Sequence, residues 1–431
     1  MARTRIVATI GPASRSEATI AALIEAGVDV FRLNFSHGTH AEHAQTITAI
    51  RRVARDRNVA ILQDLGGPKL RTAHPVHGKP GDVVALALPP TVRAGDPVLL
   101  ADGIMQLEVV DAAHARVVVG GDIPVGKGIN LPSSHLDVSS LTTKDEDDLR
   151  FGVAHGVDVI GVSFVRRAAD LAPARATGLP VIAKIETAQA VDHMAEIVEA
   201  ADGIMVARGD LGVEIPIERV PVVQKQLIRL ANQAAKPVIT ATQMLRSMVE
   251  SLLPTRAEAT DVANAVLDGS DAVMLSEETA IGRHPVEAVR MMERIVREIE
   301  PLIVPRIDTG SRDVADRVTH AACAMARDIG AAAIVVPTLS GYTARMVARH
   351  RPAMPVIALV AEERVRRQLA LVWGVTVVAV PRFADARTLL EQAETIVRAS
   401  GLVPADGTVV LVAGWPFGHP GTANLLHVMA L

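Results

Sequence analysis

Four charged residues stand at the ends of two apolar runs in the middle of the chain. Residues 180–216 read PVIAKIETAQAVDHMAEIVEAADGIMVARGDLGVEIP. Pro180 to Ile185 and Gly203 to Ala207 have the length and β-branched content of buried parallel strands. Lys184 and Glu186 close the first run, and Arg208 and Asp210 follow the second. Two carboxylates on one rim suit Mg²⁺, a hard cation that keeps waters and completes its shell with substrate oxygens. An ammonium beside such a metal can stabilise negative charge developing on a transferred phosphoryl group or an enolate. For Lys184 and Glu186 alone, a surface ion pair at a strand end is an equal reading. The glycines of Gly209-Asp210-Leu211-Gly212, read as a turn, shift the balance, because glycine lets backbone N–H groups approach an anion closely.

Positioning these groups requires a particular frame. Residues Ala188 to Ala201 carry Val191, Met194, Ala195 and Val198 at helical spacing, so the stretch reads strand, helix, strand. Such a parallel unit sets its two strand carboxyl ends side by side. Glu186 and Asp210, 210 − 186 = 24 residues apart, then share a rim. The same pattern opens the chain. RIVATIG, DVFRLNF and NVAILQD read as strands, with Ser16 capping the first helix and a second helix over His40 to Arg57. These strands end in polar groups, among them Arg32, Asn34, Ser36 and Asp64. After Gly66 the pattern changes to short alternating runs rich in Val, Gly, Pro and Asp. They predict a small inserted β domain over residues 73–137, with Asp102 and Lys127 as its candidate functional residues. Helical parsing resumes over Thr142 to His155, with Thr143 as the expected cap. VDVIGVSF is a fourth strand, PVITAT a seventh ending at Thr242, and DAVMLS an eighth followed by Glu278. Eight βα units, completed by a helix over Val286 to Glu300, predict a (β/α)8 TIM barrel whose site lies at the strand carboxyl ends. The barrel is expected over residues 1–72 and 138–305.

Past a proline-containing connector, AAAIVVP, PVIALV, VTVVAV and TVVLVAG alternate with helical stretches. They predict a C-terminal three-layer α/β domain over 306–431, a candidate regulatory unit. Its first loop, Thr338 to Ala344, leads into a helix; such a loop can bind phosphate or act as a plain cap, and its chemistry favours the cap.

Composition bounds the partners. The 431 residues carry a net charge of −4, with no general bias towards nucleic acid or anionic membranes. Only nine aromatics (2 Trp, 1 Tyr, 6 Phe) argue against base-stacking platforms. One cysteine, Cys323, excludes an intrachain disulfide framework and fits a reducing compartment. No apolar run approaches the roughly 18 residues of a membrane helix, and the start lacks a signal-peptide core. A cytoplasmic location is expected.

An ordered series of motifs resembles the pyruvate kinase family along nearly the whole chain. The series includes Ile10-Gly-Pro-Ala-Ser14, Phe31-Arg-Leu-Asn-Phe-Ser-His-Gly38, Lys184-Ile-Glu186 and Ala207-Arg-Gly-Asp-Leu-Gly-Val-Glu214. Ala241-Thr-Gln-Met-Leu245, Pro254-Thr-Arg-Ala-Glu258, Asp261-Val-Ala-Asn264, Glu278-Thr279 and Pro420-Gly421 with Asn424-Leu-Leu426 continue it. The resemblance implies phosphoryl transfer from phosphoenolpyruvate to ADP, giving pyruvate and ATP. It implies that Glu186 and Asp210 hold Mg²⁺, with Mn²⁺ as the alternative, and that Lys184 stabilises the transferring group and the enolate. Arg32 would clamp phosphate, the Gly209 and Asp210 N–H groups would receive the substrate carboxylate, and Thr242 would serve enolate protonation. Asn34, Phe35, Ser36, His37, Arg71 and Lys127 correspond to nucleotide contacts, and Asp102-Gly103 to a domain that closes as a lid. Thr338, Ser340, Gly341 and Thr343 correspond to an effector loop for a phosphorylated metabolite. A homotetramer is implied as well.

The chain also departs from the family pattern. It is short, mostly through a trimmed inserted domain. Glu277 replaces a usual glycine, Arg246 a common glutamate, and Leu65-Gly66-Gly67-Pro68-Lys69 the usual Thr-Lys-Gly-Pro-Glu. Most relatives place K⁺ among positions matching Asn34, Ser36, Asp64 and the Leu65 carbonyl, and carry glutamate at position 69. Lys69 therefore predicts that a tethered ammonium replaces K⁺. Two other readings compete: a metal-dependent lyase or aldolase acting through a pyruvate enolate, and a non-catalytic metabolite sensor. The inserted domain and Arg71 argue against the first, and the complete Arg32, Lys184, Glu186, Asp210 and Thr242 set against the second.

Overall fold

The computed structural model describes residues 2–55, 57–101, 103–132, 139–305, 313–382, 386–404, 406–416 and 421–431. Asp102, Pro420 and the expected domain borders at 137/138 and 306 lie on or against residues outside that set. Among the described residues no helix is long and apolar enough to cross a membrane.

Strands β1 (Arg5–Thr9), β2 (Val30–Asn34) and β3 (Ala60–Asp64) come first. Seven short strands follow: β4 (Val76–Gly78), β5 (Val83–Ala85), β6 (Pro97–Leu100), β7 (Met105–Asp111), β8 (His114–Val119), β9 (Gly121–Ile123) and β10 (Ile129–Asn130). The series then runs β11 (Val159–Val162), β12 (Val181–Ile185), β13 (Gly203–Ala207), β14 (Val238–Ala241) and β15 (Ala272–Leu275). Strands β1 to β3 and β11 to β15 close into one barrel in the order β1-β15-β14-β13-β12-β11-β3-β2, every neighbouring pair parallel. This is the (β/α)8 barrel that the periodicity predicts. Burial on both faces explains the continuous apolar runs. β3, β12, β13, β14 and β15 are buried at every position.

Three local expectations are corrected. Residues 188–201 form two helices, Ala188–Asp192 and Met194–Ala200, because His193 leaves helical geometry at φ −106°, ψ 15°. The second helix stops at Ala54, where Arg55 turns to φ 46°. The cap of helix Thr143–Ala154 is Thr142, not Thr143: its hydroxyl accepts the Asp145 N–H while Asp145 reaches back, a reciprocal capping box.

The inserted strands build a five-stranded sheet, β10-β6-β7-β8-β5, and a two-stranded ribbon, β4-β9. The C-terminal sheet, β18-β17-β16-β19-β20, uses β16 (Ala333–Pro337), β17 (Val356–Val360), β18 (Val375–Ala379), β19 (Thr408–Ala413) and β20 (Leu425–Ala430). The first four match the four predicted runs. β20 pairs antiparallel to β19 and escaped the reading because His427 interrupts its run and half of its residues are exposed.

The two large units share a floor. Ala370 and Leu371, on the turn Leu369–Leu371, pack into the cluster of Val7, Val30, Leu62, Ile182, Met205 and Met274 inside the barrel. Around them Arg351, 2% exposed, donates to Asp271, Asn232 and the Gly269 carbonyl and stacks 4.9 Å from the Trp373 ring. Arg5 donates to Val372 O at 2.9 Å. Leu371→Ala should therefore open a cavity under the barrel and lower unfolding free energy by about 2–5 kcal/mol. Urea titration followed by far-UV circular dichroism checks this, and an unchanged midpoint would refute the packing role.

Candidate active site

The carboxyl ends of β2, β3, β11 and β12 converge on one ammonium. Lys184 Nζ lies 2.9 Å from Glu186 Oε1 and 3.1 Å from Asp64 Oδ1, and donates to Ser163 Oγ at 2.6 Å. Ser163 in turn donates to the Leu65 carbonyl at 2.7 Å. Asp64 is shared with Arg32, whose Nε sits 2.5 Å from Oδ2 and whose second nitrogen donates to Thr9 Oγ1 at 3.1 Å. Glu186 Oε2 accepts the Phe164 N–H at 2.7 Å.

Burial sets the electrostatics of this cluster. Burial opposes the charge on Lys184, but Asp64 and then Glu186 outweigh it, so the ammonium is held above the ordinary lysine range. Burial would likewise raise Asp64, yet Arg32 and Lys184 hold its carboxyl below the usual range. Glu186 goes the other way: burial, only partly offset by Lys184 and reinforced by Asp210, pushes its carboxyl up.

Asp210 meets the same rim from β13. Pairing of Ile185 with Val206 brings Glu186 beside Ala207, and Asp210 follows in the next turn. The stretch read as a glycine turn is instead the start of helix Arg208–Glu214. An aspartate in the first turn suits the positive helix end. Gly209 N–H donates to Thr242 Oγ1 at 2.8 Å. Asp210, the third helical residue, has an N–H that helix geometry leaves without an internal acceptor. Lys69 Nζ lies 2.6 Å from Asp210 Oδ1 and 5.7 Å from the Phe164 ring centre. Gly67, at φ 69°, brings this loop against β11, where a Cβ would stand 2.9 Å from Phe164 and Ser163 atoms.

Glu186 and Asp210 stand on the same rim, and Glu186, pushed up chiefly by burial and further by the Asp210 charge, forms with it a donor pair that a divalent cation would relieve. Among the described residues no group of three or more His, Cys, Asp or Glu is arranged to hold a metal. The fit therefore rests on this pair, with substrate and water completing the shell.

The remaining predicted residues fall in different places. Thr242 follows β14 with φ 73° and Gln243 has φ 55°, both in the left-handed region; such strain needs outside support. Arg208 supplies some, donating to the Ala241 carbonyl at 3.2 Å and the Thr242 carbonyl at 2.9 Å while paired with Asp261. His37 lies near Arg71 and Arg32: partial burial and both cations lower its pKa. Phe35 is 1% exposed and stacks on His43 at 4.0 Å, while its N–H donates to the Asp64 carbonyl and its own carbonyl accepts from Lys144, so it offers no free group to a ligand. Asn34 Oδ1 accepts the Ser36 N–H at 3.1 Å. Arg71 and Lys127 are exposed on the base of the inserted sheet, Arg71 donating to Gly126 O at 2.9 Å. Thr338 to Thr343 lie on the C-terminal domain, remote from the barrel rim in sequence. There Thr338 Oγ1 accepts the Gly341 N–H at 3.0 Å and Thr343 donates to Thr422 O at 3.3 Å.

Sequence reasoning missed Ser163 and Thr9, and it singled out Arg208 without giving it a role. Ser163 was within reach, since it follows the end of a predicted strand on the correct rim. Thr9 and Arg208 act through partners that only the closed barrel brings near.

Comparisons with known proteins agree with this frame. Residues 1–87 and 82–289 match the family described as pyruvate kinase, barrel domain, and residues 316–429 match pyruvate kinase, alpha/beta domain. A protein named pyruvate kinase from Geobacillus stearothermophilus is 43% identical over 468 positions, covering 99% of this chain and 80% of that protein. One from Sporosarcina psychrophila is 42% identical over 470 positions, with the same coverage. One from Thermotoga maritima is 39% identical over 464 positions, covering 100% of this chain and 99% of that protein. With barrel, α/β domain and whole-chain identity in agreement, the chain belongs to the pyruvate kinase family, whose members are phosphotransferases.

Proposed function

We propose that the chain transfers the phosphoryl group of phosphoenolpyruvate to ADP, giving pyruvate and ATP in glycolysis. The observation that carries the residue roles is Lys184, buried between Asp64 and Glu186 on the rim that Asp210 also faces. In this reading the phosphorus–oxygen bond to the enol breaks, a new one to the terminal ADP oxygen forms, and the enolate gains a proton at carbon. Lys184, desolvated and fully charged, stabilises the transferring group and the enolate oxygen. Arg32, fixed by Asp64 and Thr9, presents its guanidinium to phosphate. Thr242 serves the protonation step. Since Gly209 already donates to Thr242, the Asp210 N–H is the better donor for the substrate carboxylate. Glu186 and Asp210 would hold Mg²⁺, or Mn²⁺ in its place, which supplies Lewis-acid charge to the substrate oxygens.

We read residues 73–137 as a lid between barrel segments 1–72 and 138–305, with Arg71, Lys127 and residues 34–37 towards the nucleotide. Support comes from Gly128, where a Cβ would lie 2.8 Å from Lys69 Cε, so the lid base rests against a site residue. A homotetramer and a cytoplasmic location follow from the family. In the loop at 338–343 the Thr338 and Thr343 hydroxyls are bonded within the protein and no side chain caps the helix that starts at Tyr342, so a phosphorylated effector would have to replace those bonds.

The reading extends to K⁺. Three of the four groups that relatives offer to K⁺ have protein partners here: Asp64 holds Arg32 and Lys184, Leu65 O accepts Ser163, and Asn34 accepts Ser36. Lys69 adds a fixed positive charge at Asp210. On this reading K⁺ is not required.

Two experiments test these roles by coupling pyruvate formation to lactate dehydrogenase. Lys184→Met should lower kcat by about 10²–10³ or more, and near-normal turnover would remove Lys184 from the chemistry. Wild-type protein should keep near-full activity with tetramethylammonium as the sole monovalent cation. Lys69→Glu should reduce that activity and create a response to added K⁺. A wild type that needs K⁺ for most of its turnover would overturn the charge-replacement reading.

A further inference from the structure

Two residues that depart from the family pattern meet in space. Arg246 follows the Ala241–Leu245 run and Glu277 follows Ser276, 277 − 246 = 31 residues apart. Arg246 Nε lies 2.9 Å from Glu277 Oε2, each side chain about half exposed. Their sequence neighbours pair as well. Glu278, 1% exposed, accepts the Leu245 N–H at 3.1 Å through one carboxylate oxygen and the Ser276 N–H at 2.7 Å through the other. The segments after β14 and β15 are thus joined by two rungs: a buried one, Leu245 to Glu278, and an outer one, Arg246 to Glu277.

The rungs sit beside a strained turn. Thr242 and Gln243 both hold positive φ without being glycine, so the neighbouring structure has to maintain them. On one side Arg208 grips the Ala241 and Thr242 carbonyls. On the other, the path from Thr242 runs three residues to Leu245 and the first rung. An arginine at 246 and a glutamate at 277 would each be an uncompensated charge on the rim without the other.

We propose that Arg246 and Glu277 are positioning residues whose ion pair straps the segment after β14 to the segment after β15 and holds the Thr242 turn in register. The inference rests on the reading that Thr242 acts in the protonation step. A glutamate at 246 would face the carboxylate of Glu277 and lie next to that of Glu278, whereas a glutamate there opposite a glycine meets no such charge.

A double-mutant cycle tests the strap, using kcat, KM for phosphoenolpyruvate and melting temperature of the Mg²⁺-supplied enzyme. Arg246→Gln and Glu277→Gln should each lower kcat by about 1.5- to 5-fold, the scale of an exposed pair, with KM nearly unchanged. The double variant should be no slower than either single one. Arg246→Glu should be slower still, and Arg246→Glu with Glu277→Arg should recover most of that loss. Coupling should shrink at 0.5 M salt, roughly where screening acts within a few ångströms. Exchange of the pyruvate methyl protons into D₂O, followed by NMR, should fall in step with kcat, because it reads the protonation half alone. The strap is refuted if the two glutamine effects multiply in the double variant. It is equally refuted if only the melting temperature moves. Should Arg246→Glu fail to fold, the glutamine cycle still decides. Thr242→Val separates the two ideas: wild-type proton exchange in that variant would sink the role of Thr242, whereas absent coupling in an enzyme that needs Thr242 sinks only the strap.

Discussion

A buried ammonium constrains everything around it. Lys184 is 8% exposed, and an unpaired charge at that depth would be strongly destabilising. It is tolerable only because Asp64 and Glu186 arrive from β3 and from the end of β12 while Ser163 closes the remaining direction. Asp64 and Glu186 together outnumber a single ammonium, so Arg32 on β2 must arrive as the second cation. Four strand ends are tied by one set of charge-assisted bonds, and a one-residue slip in any of them would break the set. The closed barrel supplies the register. Removing one partner would leave a buried charge uncompensated, so the site's geometry and its electrostatics cannot be altered independently.

That dependence explains which features could be read from the chain. Long apolar runs bounded by polar residues report burial on both faces, and all eight barrel strands carry that signal. The rim positions of Arg32, Asp64, Lys184, Glu186 and Thr242 follow from where those runs stop. The distribution of charge among them does not. Nothing in the spacing says that Lys184 leans on Asp64, 120 residues earlier (184 − 64), as well as on its neighbour Glu186. Local backbone conformation was also hidden. The turn assigned to Gly209–Gly212 is helical because Asp210 favours a helix start as much as glycine favours a turn. The shift of a cap from Thr143 to Thr142 is a choice between adjacent identical residues, which composition cannot separate. β20, half exposed along its length, has its apolar run interrupted by His427, unlike the strands that were read.

Arg246 and Glu277 show the same limit from another side. Each is an oddity when taken alone in sequence, and a charge at either position invites no partner by spacing. The barrel sets β14 and β15 side by side, and two departures become one contact. Pairwise physics of this kind is carried by topology, not by local pattern.

The floor contributed by Ala370 and Leu371 has a consequence for synthesis. Residues made more than three hundred positions after β1 fill the interior of the barrel that β1 begins. While translation is under way, all eight strands can have left the ribosome with their lower interior layer still open to water. Apolar side chains such as Val7, Leu62 and Met205 then line a solvent-filled mouth until the last quarter of the chain appears. The final closing contact is among the longest-range in sequence, a kind of contact that forms slowly. The nascent barrel therefore passes through an interval in which a holdase chaperone would find a ring-shaped apolar surface, one that the finished protein never displays.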